Sequence, residues 1–184
     1  MSSRASQQSI RSIIRRSTLS PSDKLNILTF CTHERYEQNL CRTGHNFYSI
    51  NHGKTWNKDF GKIPENYQEG DVAPWHINFD LILCHTSCER VSLAKQLQGL
   101  FNIPILRHTH VLPDIRFDVN QQVSGFNSIP VEHNSFISTY NMEQWGNHKS
   151  QNTSVIEHGI DVDFWDSGDN PERENVLLSV VNQW

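Results

Sequence analysis

Phe79-Asp80-Leu81-Ile82-Leu83-Cys84-His85 carries the clearest structural signal in this chain. Its apolar run is short and uninterrupted, and polar residues bound it, which is typical of a strand buried on both faces of a parallel sheet. The following segment, Ser87–Phe101 (SCERVSLAKQLQGLF), spaces its apolar side chains along one face of a helix. We predict a strand over Phe79–Cys84 and a helix over Ser87–Phe101.

The same alternation of strand and helix recurs on both sides of this unit. Short apolar runs predict strands over Asn26–Cys31, Asn46–Ile50, Ile103–Leu106, Ser135–Ser138, Ser154–Ile156 and Val176–Val181. Helices are predicted over His33–Arg42, capped by Thr32, and over Tyr140–Asn147, whereas 51–78 and 112–130 are predicted as loops. Strands that alternate with helices build parallel sheets. We therefore predict an α/β fold, a Rossmann-like parallel sheet with helices on both faces.

The composition narrows the classes of function. The chain has 184 residues, enough for one α/β domain with a core, and its formal net charge of −4 argues against a general nucleic-acid binder. No stretch approaches the roughly 20 apolar residues of a membrane-spanning helix, and no apolar segment follows the N-terminal arginines as in a secretory signal. The cysteines form no C-x-x-C pair. We expect all four to be free thiols in a reducing, cytoplasmic protein.

Residues 1–22 (MSSRASQQSIRSIIRRSTLSPS) differ from the rest of the chain. They contain four arginines, no acidic residue and many Ser and Gln residues, so we predict a disordered basic arm. Two alternatives stay open. Ile10, Ile13 and Ile14 beside the arginines fit an amphipathic turn in peripheral contact with the anionic inner face of a membrane. The composition of the arm also fits a transit peptide.

Histidines recur where the predicted strands end. They are His33 after the first strand, His85 after the Phe79–Cys84 strand, His110 after the Ile103–Leu106 strand, and His158 after the Ser154–Ile156 strand. Parallel sheets bind ligands beyond the carboxyl ends of their strands, so we expect these histidines to converge on one rim. Neutral imidazoles suit hydrogen bonding to sugar hydroxyls and phosphates, and histidine can also serve as acid, base or ligand near neutral pH.

Several segments together resemble a known family, the retaining GT-B glycosyltransferases called glycosyl transferases group 1, or family four. Asp80–His85 is similar to that family's D-hydrophobic-hydrophobic-x-x-H segment, and Pro104–His110 to its P-hydrophobic-hydrophobic-x-T-x-H segment, with the threonine moved by one place. Val155–Trp165 (VIEHGIDVDFW) resembles the end of the acceptor-side domain, and Asn175–Asn182 resembles the opening strand of the donor-binding domain. The family's glycine-rich loop after the first strand is replaced here by Thr32–Tyr36.

The resemblance implies the N-terminal half of a GT-B enzyme. It implies a Rossmann-like domain over 23–165 and, over 166–184, a linker and the first strand of a C-terminal domain that this chain lacks. The complete enzyme would transfer a sugar, with retention of configuration, from a nucleotide diphosphate sugar to a glycan, lipid or other acceptor. It would need no cofactor and no metal, and this half alone would be inactive.

The same resemblance assigns roles to the candidate residues. His110 would be the catalytic residue, nearest the reacting sugar. The acceptor would be bound by His33, Glu34, Arg35 and His85. The interdomain cleft would be lined by His158, Gly159 and Asp161.

Other functions compete with this assignment. A nicotinamide or flavin oxidoreductase needs glycines after the first strand, and 31–36 contain none. The His108-x-His110 pair suggests a metal-dependent hydrolase. However, we expect both side chains to reach one metal only if the strand has already ended, and the sequence contains no H-E-x-x-H helix. A non-catalytic carbohydrate-binding fragment and a GT-B sugar-nucleotide epimerase stay open.

Overall fold

The computed structural model describes residues 2–51, 55–85, 88–148 and 150–159. A seven-stranded parallel sheet forms the centre of the described chain, with its strands in the order β3-β2-β1-β4-β5-β6-β7. The strands are β1 Asn26–Thr29, β2 Asn46–Ile50, β3 Tyr67–Gly70, β4 Leu81–His85, β5 Ile105–Thr109, β6 His133–Phe136 and β7 Thr153–Val155. The helices are α1 Ser2–Thr18, α2 Glu34–Cys41, α3 Cys88–Phe101, α4 Val119–Ser128 and α5 Thr139–Gln144, and Lys58–Phe60 form a 3₁₀ turn.

Helices cover both faces of this sheet, so the predicted α/β, Rossmann-like fold is confirmed. Successive residues of a strand point to opposite faces, and each central strand therefore contributes to two cores. Leu28 and Ile82 pack with Ala94 of α3 on one face. Ile27 and Leu83, their sequence neighbours, pack with Cys41 of α2 on the other.

The strand order contains a reversal that creates a crevice. β1 pairs with β2 on one side and with β4 on the other, and the helices that follow β1 and β4 cover opposite faces. The two chain segments therefore separate just beyond the carboxyl ends of β1 and β4. Open parallel sheets bind their ligands at such a reversal point.

Two elements were predicted as loops and are regular in the structure. β3 lies within 51–78; it is an edge strand in which only Tyr67 is buried, so its sequence lacks a strong apolar pattern. α4 lies within 112–130, begins at an Asp118 cap and buries only Phe126. Both elements depend on tertiary contacts that a local pattern does not reveal.

The remaining predictions differ mainly at element ends. β5 begins at Ile105 and continues to Thr109, so Arg107 and His108 lie within the strand rather than after it. The predicted Val176–Val181 strand, together with all of 166–184, lies outside the described residues. Within the described residues, the side chains of Cys31, Cys41 and Cys84 are buried and form no disulfide, as expected of thiols.

The prediction that residues 1–22 form a disordered arm is wrong for most of that segment, because Ser2–Thr18 form α1. This helix lies against α3 and faces the protein with polar side chains. Ser12 is fully buried, and Ser9 Oγ donates to the Leu100 carbonyl at 3.3 Å. Arg15 Nε donates to Oδ1 of buried Asp80 at 2.7 Å. The long-range contacts stabilise a helix that composition alone does not favour.

We expect Arg15→Gln to lower the free energy of unfolding by about 1–2 kcal/mol, because it removes a charge-assisted hydrogen bond from a buried carboxylate. Urea denaturation measures the change, and hydrogen exchange locates it in α1. Arg11→Gln is the matched control, because Arg11 is exposed on the same helix. An equal loss in both variants would contradict the role given to the Arg15–Asp80 pair.

Candidate functional site

Four histidines surround the ring of Tyr36 at the crevice between β1 and β4. The Tyr36 ring centroid lies 5.1 Å from that of His85 and 6.1 Å from that of His108. It lies 5.6 Å from the His110 ring and 5.9 Å from the His158 ring. We call these five residues the histidine cluster.

The imidazoles of the cluster also contact one another. The ring centroids of His85 and His110 are 5.3 Å apart, and His108 lies 6.1 Å from each of them. His158 lies 5.9 Å from His108 and 6.5 Å from His110. Residues from separate segments of the sequence therefore form one continuous surface of aromatic rings.

Strand register places the two deepest members side by side. β4 and β5 pair so that His85 stands opposite His108, and β5 and β6 pair so that His108 stands opposite Ser135. Paired residues point to the same face of a sheet, which here is the face covered by α2. His108 Nδ1 and Ser135 Oγ are hydrogen-bonded at 2.8 Å.

Tyr36 reaches the cluster because α2 begins directly beyond β1. His33 is the N-cap, and its Nδ1 accepts the Arg35 backbone N–H at 3.3 Å. Glu37 Oε1 accepts hydrogen bonds from the backbone N–H and the hydroxyl of Thr32, at 3.1 and 3.0 Å. The predicted cap, Thr32, is therefore a donor to the helix's own glutamate, and His33 takes its place.

Exposure increases across the cluster from the sheet outward. His85 is only 2% exposed and His108 only 6% exposed, whereas His158 is exposed. Tyr36 and His110 have intermediate exposure. The exposure of the imidazoles thus rises from His85 and His108, at the base of the cluster, to His158 at its rim.

Two of the histidines have unsatisfied ring nitrogens. Among the described residues, Nδ1 and Nε2 of His85 have no hydrogen-bond partner, and Nδ1 of His110 has none either. A buried polar atom without a partner costs about 1–3 kcal/mol. Such atoms are rare in native proteins, and three of those found in the described residues lie in the cluster, at the crevice where the fold is expected to bind ligands.

The buried imidazoles are held in the neutral form. Burial lowers the pKa of His85 well below 6.5, and the neighbouring charges of His110, His108 and Arg90 lower it further. Burial, with the charges of His110 and His158, lowers the pKa of His108 to about 4.

The partly exposed side chains of His110 and Tyr36 are also kept uncharged. Burial, followed by the charges of His158 and Arg90, lowers the pKa of His110. Burial, aided by the Glu37 carboxylate, raises the pKa of the Tyr36 phenol above its ordinary 10.0. A ligand therefore meets neutral donors and acceptors here.

The structure separates the candidates at the start of α2 from the cluster. The His33 ring lies 5.3 Å from that of Phe60, and Arg35 Cζ lies 5.9 Å from the same ring. Glu34 is 2% exposed, and its Oε1 accepts the Asn57 N–H at 3.0 Å. These three residues hold the 57–60 segment, and none of the ring contacts found in the described chain joins His33 to the cluster.

The three candidates predicted to line the interdomain cleft follow β7, and the structure treats each differently. His158 joins the cluster, whereas Asp161 lies outside the described residues. Gly159 is exposed, its φ is not positive, and a Cβ there would meet no atom within 4 Å. The described backbone therefore does not require glycine at this position.

The expectation that His108 and His110 reach one metal only if the strand has already ended stays a prediction, but β5 ends at Thr109 and the two rings are stacked with centroids 6.1 Å apart. Residues two apart on a strand share a face, so both rings lie on the α2 side although His108 is within β5. Tyr36 and Ser135 were missed as site residues. Tyr36 stands in the helix that follows the first strand, and its position three residues after His33 is the signal that was available.

Comparison with known proteins adds no family to this description: no protein-family model matches the chain, and no curated protein matches its sequence significantly.

We expect the folded state to lose stability as the pH falls from about 6.5 toward 4. The His108 pKa is about 4 when folded and near 6.5 when unfolded. The unfolded chain therefore binds more protons in this window, and stability rises with pH through it. The loss from His108 is at most about 3 kcal/mol.

Urea denaturation at several pH values measures this loss in metal-free buffer. His108→Asn should flatten the dependence, and His76→Asn, which changes an exposed histidine outside the cluster, should not. A slope that His108→Asn leaves unaltered would show that other groups cause the acid sensitivity.

Proposed function

We propose that this chain is the acceptor-side, N-terminal half of a retaining GT-B glycosyltransferase that uses a nucleotide diphosphate sugar. The observation that carries the proposal is the histidine cluster itself. It lies beside the reversal point of the sheet, at the end where parallel α/β folds bind their substrates. The sequence segments that resemble the family, Asp80–His85 and Pro104–His110, supply three of its four imidazoles.

The chemistry of the cluster suits a carbohydrate. A neutral imidazole offers one N–H donor and one acceptor nitrogen, which matches the dual character of a sugar hydroxyl. His85 and His110 have nitrogens free for this purpose among the described residues. The face of the Tyr36 ring adds an apolar platform for the C–H face of a sugar ring.

His110 is the residue we assign nearest to the reacting sugar. Its ring is partly exposed, it follows the end of β5, and its Nδ1 has no partner in the described chain. Its lowered pKa keeps the ring neutral, so it acts through hydrogen bonds to hydroxyl groups. The charge of the departing nucleotide diphosphate would be stabilised by basic groups and a helix N-terminus of the donor-binding half.

His85 serves in this proposal as the base of the acceptor pocket, whereas His33, Glu34 and Arg35 act indirectly. Those three residues hold 57–60 beside the start of α2 and thereby fix the helix that carries Tyr36. His158 is exposed and lies at the outer rim of the cluster. It would face the cleft between the two halves.

We further propose that α1 rests on an anionic membrane surface. Its polar face packs on the protein, so Ile10, Ile13 and Ile14 point outward and are 57%, 47% and 58% exposed. Exposed Arg11 lies on the same helix, and residues 1–22 carry no acid to repel anionic lipids. An apolar stripe flanked by arginine is the pattern of an interfacial helix. None of the helices in the described residues is both long and apolar enough to span a bilayer.

We expect this chain to bind a subset of glycans on an array and to show no turnover of any nucleotide diphosphate sugar. His110→Ala and Tyr36→Ala should each weaken glycan binding at least tenfold, because they remove a hydrogen-bonding group and the stacking surface. His76→Ala, outside the cluster, should leave binding unchanged.

Glycan transfer by this chain alone would contradict the proposed division between two halves. Saturable binding of a nicotinamide dinucleotide, with no glycan bound, would favour an oxidoreductase instead. Glycan binding that persists in both cluster variants would place the acceptor elsewhere on the protein.

For the membrane contact, we expect the chain to sediment with vesicles that contain phosphatidylglycerol and not with pure phosphatidylcholine vesicles. Ile13→Glu should reduce the bound fraction several-fold, because it places a charge in the apolar stripe. Ile115→Glu is the control, because Ile115 is 90% exposed and lies outside α1. Equal binding of both variants to anionic vesicles would contradict the assignment to α1.

A further inference from the structure

The base of the histidine cluster has a composition that sugar binding alone does not require. His85 is almost completely buried, and neither of its nitrogens has a partner among the described residues. His108 and His110 have their rings within 6.1 Å of it. Three neutral imidazoles, one of them buried and without a hydrogen-bond partner, form a set of ligands typical of a transition-metal ion.

The spacing of these rings is close to what a metal ion needs. Three imidazoles bonded to one tetrahedral zinc ion at about 2.0–2.1 Å hold their ring centroids about 5 Å apart. The centroids of His85, His108 and His110 are separated by 5.3, 6.1 and 6.1 Å. His158, 5.9 Å from His108, is near enough to supply a fourth ligand.

Ser135 gives His108 a defined orientation. The 2.8 Å contact between Ser135 Oγ and His108 Nδ1 leaves Nε2 as the nitrogen available to a ligand. A metal-bound histidine nearly always donates its other N–H to an oxygen in this way. Nδ1–H would then donate to the serine oxygen, and Nε2 would bind the ion.

We propose that His85, His108 and His110 form a binding site for a divalent transition-metal ion, with His158 as a fourth ligand. The metal-site proposal does not rest on the proposed glycosyl transfer, although the two share His85, His110 and His158. Binding would connect the ends of β4 and β5 to the segment after β7, and it would give one nitrogen of the buried His85 ring a partner. The occupant is a Zn²⁺-type ion, since imidazole ligands without a carboxylate disfavour Mg²⁺ and Ca²⁺.

Binding requires a rearrangement of the Tyr36 side chain and of the imidazoles. No group of three or more His, Cys, Asp or Glu side chains in the described residues is already arranged to hold a metal ion, and the Tyr36 ring lies against all four imidazoles. Tyr36 is only partly buried, and the proposal requires its side chain to turn toward solvent while the imidazoles turn inward. The positive charge of Arg90, held on the Cys31 carbonyl at 3.1 Å, opposes the ion and limits its affinity.

The test uses the untagged chain after treatment with a chelator. Calorimetric titration with Zn²⁺ should give one site per chain, and Co²⁺ should produce the visible absorption bands of a tetrahedral complex. His110→Asn should weaken zinc binding at least tenfold, and Ser135→Ala about tenfold through loss of the orienting hydrogen bond. His76→Asn should bind as the unaltered chain does.

Circular dichroism of each variant establishes that it is folded before titration. The absence of saturable zinc binding to the folded, unaltered chain would overturn the proposal. So would binding that His110→Asn leaves unchanged or that His76→Asn weakens equally. Neither result bears on glycan binding, which the array measures in the presence of chelator.

Discussion

The parallel register of β4, β5 and β6 is the constraint on which the candidate site depends. It sets His85 opposite His108 and His108 opposite Ser135, so three polar side chains form a row on the face that α2 covers. A shift of one residue would move a whole strand's side chains to the other face. The apolar residues that alternate with this row, such as Ile82 and Ile105 in the core under α3, make such a shift costly, and the hydrophobic core therefore fixes the geometry of the site.

Three of the unsatisfied buried side-chain atoms in the described residues belong to His85 and His110 of the histidine cluster. Elsewhere, buried charges are paired: Asp80 accepts from Arg15 and from the Asn26 N–H, and Arg107 donates to Asn134 and to the Phe126 carbonyl. At the cluster, His85 lies unpaired among the described groups at the end of a central strand. Where a native protein leaves a buried group without a suitable partner, the position is often part of a functional site. This contrast is the physical reason for reading the cluster as a place where a ligand binds.

The sequence predicts the fold well wherever burial produces a pattern. The central strands and α3 were found because apolar runs and helical spacing report two-sided burial. β3 and α4 were missed because Tyr67 and Phe126 are the only fully buried residues of those elements, and α1 because its inward face is polar. For the site, the ends of the predicted strands located His85, His110 and His158. Predicting Tyr36 would have required knowledge of where α2 lies relative to β1. The candidates His33, Glu34 and Arg35 hold a neighbouring loop instead.

The central claim is that four histidines contact one tyrosine ring, and ring-current shifts test it most directly. Proton–carbon spectra of the chain labelled at histidine would be compared between the unaltered protein and Tyr36→Leu. The account predicts that the ring signals of His85, His108, His110 and His158 all move, whereas those of exposed His76 and of His133, which bonds to Ser154, stay in place. Movement of one cluster histidine or none, in a variant that remains folded, would contradict it.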